Sequence, residues 1–133
     1  MTRGIALLCA SLVYFIAIQV QAASGDDNFK TCALTKAFEC TSANGCRESS
    51  VQEMALPRFI LIDLKAKIIK SLDKDITRET RFKEMDRLDG LLVLHGTEQR
   101  GWSLALGEKS NDLTLSASGD GESFVVFGSC MSK

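Results

Sequence analysis

Polar and apolar residues alternate with a period of two along most of the second half of the chain. Trp102, Leu104 and Leu106 fall on one side of the run Trp102–Leu106, and Leu113, Leu115 and Ala117 on one side of Leu113–Ser118. The polar stretch Gly107–Asp112 separates these runs. Gly119-Asp120-Gly121 then leads into Phe124-Val125-Val126-Phe127, which ends at Gly128-Ser129-Cys130. Successive side chains of a strand point to opposite faces, so alternation between turn signals predicts an antiparallel meander with one buried face. Upstream, Asp89-Gly90 precedes Leu91-Leu92-Val93-Leu94-His95, a run apolar on both faces that predicts a central strand.

The middle of the chain is less regular. Read as one strand, the segment Phe59–Ile69 places Ile60, Ile62, Leu64, Ala66 and Ile68 on one face, against Asp63, Lys65 and Lys67. Read as a helix, it aligns Leu61, Leu64, Ile68 and Leu72. The stiff isoleucines and the separated charges favour the strand, with Pro57, the only proline, just before it. Ile76–Leu88 suits either a short helix, with Phe82, Met85 and Leu88 at three-residue spacing and Glu79–Lys83 four apart, or a charged edge strand. Nearer the front, Cys32, Leu34, Phe38 and Cys40 lie at even spacing and predict a first strand paired with Arg47–Met54. The expected fold is all-β, a small antiparallel β-barrel or sandwich of meander type, with at most one short helix and pinned by disulfides.

The amino terminus follows a different pattern. After Arg3, residues 4–18 carry no charge, a length that suits the apolar core of a secretory signal and is short of the roughly 20 residues a spanning helix needs. Val20-Gln21-Ala22 supplies modest and small residues for a peptidase, so residues 1–22 read as a cleaved leader and 23–133 as a single exported domain. Cys9 lies inside the apolar run behind Leu8, lacks the small preceding residue that lipid attachment requires, and leaves with the leader. Loss of Arg3 moves the net charge from −1 to −2. That balance excludes the basic field of a nucleic-acid binder, and no later apolar run is long enough to span a bilayer as a helix.

Four cysteines remain: Cys32, Cys40, Cys46 and Cys130. An even number in a short exported chain reads as two disulfides and a periplasmic or secreted protein, and the absence of an N-x-[ST] acceptor leans towards a bacterial envelope. Four cysteines allow three connectivities; the preferred one pairs Cys40 with Cys46 across the hairpin signalled by Asn44-Gly45, and Cys32 with Cys130 to tie the chain ends. No C-x-x-C pair offers thioredoxin or zinc-ribbon chemistry.

Candidate chemistry is sparse. His95 is the single histidine, so any histidine-dependent nucleophile must use it, and its place at the end of an apolar strand explains it without catalysis. One histidine and no free thiol do not make a transition-metal site, and Asp112, Asp120 and Glu122 near turns lack ordered calcium-ligand spacing. Ser71-Leu72-Asp73-Lys74 matches S-x-x-K without its companion elements, and Gly119-Asp120-Gly121 lacks the third glycine of a dinucleotide fingerprint. Carboxylates such as Glu48, Asp63, Glu84 and Asp86 are scattered over predicted polar faces, where charges usually solvate a surface. The expectation is therefore no enzyme activity, no cofactor and no metal.

A binding surface is expected around Asp63, His95, Glu98, Arg100 and Trp102. Asp63 is set in an apolar stretch, and Glu98-Gln99-Arg100-Gly101-Trp102 is a polar loop running into the sole tryptophan, an interface anchor if exposed, although the face it shares with Leu104 and Leu106 favours a core position. In size, export and terminal cysteines the domain resembles the periplasmic lysozyme inhibitors, a likeness of plan that carries over no inhibitory residue. The leading expectation is a non-catalytic domain that binds an envelope or extracellular protein. A carrier of small apolar ligands comes second and a hydrolase last.

Overall fold

The computed structural model describes residues 27–131; the leader expected over residues 1–22 and its cleavage site lie outside them. Ten strands follow in chain order: β1 (Phe29–Thr41), β2 (Gly45–Ser49), β3 (Phe59–Asp63), β4 (Ile68–Ser71), β5 (Glu79–Arg81), β6 (Glu84–Leu88), β7 (Leu91–Gly96), β8 (Gly101–Gly107), β9 (Asp112–Ser118) and β10 (Glu122–Met131). All pairings are antiparallel, in the order β5-β4-β3-β1-β10-β9-β8-β7-β6, with β2 added beside β1. The sheet curls into a half-barrel. Its two ends are consecutive in sequence: Phe82 N donates to the Lys67 carbonyl at 3.2 Å and Lys83 N to the His95 carbonyl at 2.8 Å. One segment thus pairs first with β4 and then with β7, covering edges that an open sheet would expose.

The meander β7–β10 follows the alternation read from the sequence. Leu92 and Leu94 of β7, Leu104 and Leu106 of β8, Leu113 of β9 and Val126 of β10 are buried on the concave face. Asp89 and Gly90 both take positive φ in the tight β6–β7 turn, as a two-residue Asp-Gly hairpin requires.

Two expectations are corrected in this part of the chain, and one open alternative is decided. Phe59–Ile69 is not one strand but the β3–β4 hairpin. Asp63 Oδ1 accepts from Ala66 N at 2.8 Å, Lys67 takes φ 57°, and the reversal places Ile69 opposite Ile62 and Ile68 opposite Asp63. Ile68 therefore leaves the face it was given, and Ile69 enters the core. Of the two readings left open for Ile76–Leu88, the structure takes the charged edge strand: the segment forms β5 and β6, the end strands of the sheet, with Phe82 buried between them and Met85 and Leu88 exposed on β6. The partner of β1 stops at Ser49, and residues 51–55 form turns.

The even spacing of Cys32, Leu34, Phe38 and Cys40 also breaks, because β1 carries a bulge between Leu34 and Lys36. An extra residue inverts the parity of everything after it. Cys32 and Leu34 point inward, Ala37 replaces Phe38 in the core at 0% exposure, and Phe38 moves to the convex face. Both disulfides join residues directly opposite in register. Cys32–Cys130 crosses β1 and β10 in the core, and Cys40–Cys46 closes the β1–β2 hairpin near the surface. Two such bonds point to a non-reducing compartment. No helix among the described residues is long and apolar enough to cross a membrane.

Candidate functional site

At one end of the half-barrel the concave face is not filled. A cavity of about 390 Å³ opens there, within the range of small-ligand sites. Its floor is apolar: Leu34 of β1, Ile60 of β3, Ile69 of β4, Leu115 of β9 and Val126 of β10. Trp102 and Phe124, at the mouth-side ends of β8 and β10, add aromatic surface. Arg78, Glu79, Thr80, Glu98, Gln99 and Arg100 form a polar rim.

The wall opposite the meander is built by residues 50–57. Ser50 Oγ accepts from Glu53 N at 3.1 Å, and Glu53 Oε2 accepts from Ser50 N at 2.9 Å, the reciprocal closure of a capping box. These bonds, with a third from the Ser49 hydroxyl at 3.3 Å, hold the Glu53 carboxyl below the usual carboxylate range, Ser50 contributing most. Val51 and Pro57 are consequently buried, and Met54 and Leu56 line the cavity. On the same side, Asp73 accepts from Arg58 N at 2.7 Å and Phe59 N at 3.1 Å, which fixes the start of β3.

The rim segment between β7 and β8 is equally constrained. Gln99 sits at φ 61° in a γ-turn closed by Arg100 N to the Glu98 carbonyl at 2.7 Å. The Arg100 guanidinium lies 4.8 Å from the Phe124 ring centroid and donates to Glu122 Oε1 at 2.7 Å, tying the loop to β10. Trp102 faces Gly96 in register, and a Cβ on Gly96 would lie 2.2 Å from two of its indole carbons. Only glycine at position 96 leaves room for the ring as it is placed.

Of the five residues singled out from the sequence, Glu98, Arg100 and Trp102 converge on this cavity. Asp63 and His95 do not. Asp63 caps the β3–β4 turn at the opposite end of the barrel, opposite Phe29 in register, and His95 points to the convex face between Glu84 and Ser103. Asp112 starts β9 and Asp120 lies in the turn beyond its far end, and Glu122 is engaged by Arg100. Among the described residues no group of three or more His, Cys, Asp or Glu is arranged to hold a metal ion.

Sequence reasoning missed the 50–57 wall and the rim at Arg78–Thr80. The first had a signal, the S-x-x-E spacing of Ser50 and Glu53. The second had none, because those residues reach the site only through the edge-switching segment. The chain matches no protein-family model, no curated protein and no solved structure.

Proposed function

We propose that this chain is an exported, non-catalytic binding domain that takes a small apolar molecule into the open end of its half-barrel, in the periplasm or outside the cell. The observation that carries the reading is the cavity itself: an apolar concavity with two aromatic side chains inside a polar rim, built on strands closed by two disulfides. Packed β-cores of this size normally fill their interior with side chains, whereas those that hold a ligand leave an apolar hollow at one mouth. No triad, paired carboxylates or metal-ligand set is needed for such a role, and export through a cleaved leader agrees with the disulfides. Nothing in the composition calls for nucleic acid as a partner.

The test is titration with a neutral apolar fluorophore such as N-phenyl-1-naphthylamine, alongside native mass spectra of protein purified from its export compartment. Binding is expected to be saturable and to vanish in Ala117→Phe, which fills the cavity from β9. Loss of binding with an unchanged circular dichroism spectrum supports the reading. No saturable binding, or equal binding by the filled variant, refutes it.

A second reading, docking of a protein, draws on the convex face. There Phe38 and Phe127 meet edge to face at 6.1 Å, Phe127 is 40% exposed, and Lys36 lies over the Phe38 ring while pairing with Glu48. The pair is small beside the cavity, and the first reading is preferred.

A further inference from the structure

Resting on the reading of the cavity as a ligand site, we infer that its ligand is an amphipathic carboxylate: an apolar tail on the barrel floor and a planar anionic head at the arginine rim. Shape and lining set the tail: a cavity of about 390 Å³ with an apolar floor lies at the small end of ligand sites, which suits a medium-chain tail.

Charge sets the head. Four charged residues, Arg78, Glu79, Glu98 and Arg100, line the mouth. Glu79 is already paired, with Arg81 at 3.7 Å. Arg100 is oriented by Glu122 and by the Phe124 ring, and among the described residues its guanidinium makes that single hydrogen bond, so further N–H donors of its fork remain for a second acceptor. Arg78 has no carboxylate within ion-pair distance among the described residues. Its backbone is pinned to the lip, since its carbonyl accepts from Ser71 N at 2.8 Å.

Two arginines from different segments therefore line the mouth, and a guanidinium fork matches a carboxylate in geometry as well as sign. Among the described residues Glu98 is the one rim carboxylate without an ion-pair partner, and it opposes an anionic head. Its neutral replacement is expected to improve binding, an effect with no counterpart for an uncharged ligand.

The experiment titrates the full exported domain with decanoate and, separately, with decanol, reading fluorescence from Trp102, the only tryptophan. Decanoate is expected to bind more tightly than decanol. Arg78→Gln and Arg100→Gln should each weaken decanoate about ten-fold, equivalent to about 1.4 kcal/mol, and leave decanol within about two-fold. Glu98→Gln should tighten decanoate alone. If both molecules bind alike, or the arginine variants weaken both equally, the anionic head is wrong while the apolar-ligand reading stands. If neither binds and the neutral fluorophore also fails, the cavity is no ligand site and both readings fall.

Discussion

Removing the two disulfides separately should cost very different amounts. Cys32–Cys130 closes a loop with a sequence separation of 98, and Cys40–Cys46 one of 6. The loop-entropy relation gives about 4.7 kcal/mol for the long loop and about 2.3 kcal/mol for the short one. Burial widens the gap: Cys32 and Cys130 are core residues and Cys46 is exposed, so alanine leaves small voids only in the first case. A domain of this size has on the order of 5–15 kcal/mol in total, so losing the long bridge takes a large share of it. Urea unfolding followed by Trp102 fluorescence compares the parent with the double variants Cys32→Ala/Cys130→Ala and Cys40→Ala/Cys46→Ala. The former is expected to lose about twice as much and to show a larger m-value, because its unfolded chain is freer to expand. Equal losses, or a greater loss for the short loop, would refute the argument that chain closure governs the effect.

Further outcomes follow from particular contacts. Gly128→Ala would place a Cβ 2.3 Å from the Ala33 carbonyl oxygen, where backbone and not a mobile side chain must yield; a loss of about 1–3 kcal/mol is expected in urea unfolding. Gly96→Ala should instead displace the Trp102 ring, shifting its emission and reducing fluorophore binding even where the fold is retained. The Glu53 carboxyl is held below its ordinary range by Ser50 and Ser49. Its contribution is thus present above the unfolded carboxylate pKa and lost as the pH falls through the lower folded value, a dependence that Glu53→Gln should flatten in an acid unfolding profile.

The meander could be read directly because each of its strands alternates cleanly and is bounded by glycine or a polar cluster. The β3–β4 hairpin was hidden for the opposite reason. Its turn, Leu64–Lys67, contains no glycine, proline or asparagine, and relies on the Asp63 side chain and a lysine in the left-handed region. Charges that look like the polar face of a strand are there the tip of a reversal. The inversion of β1 left no local mark either: a bulge at Thr35 is fixed by pairing with β10, which is distant in sequence. In Ile76–Leu88 the spacing could not decide between helix and edge strand, because Phe82 is buried while Met85 and Leu88 stay exposed on the end strand β6. For the site, only the rim segment beside Trp102 was legible, since a cavity assembled from several separate segments has no contiguous motif.

The first and last strands share one end of the barrel: Thr31 lies opposite Met131, whereas Thr41 and Glu122 meet at the mouth side. Attachments made next to residues 27 and 131 consequently sit on the pole away from the hollow. A reporter, a surface linker or a fused neighbour at either position would leave the opening facing outward, free to sample solution.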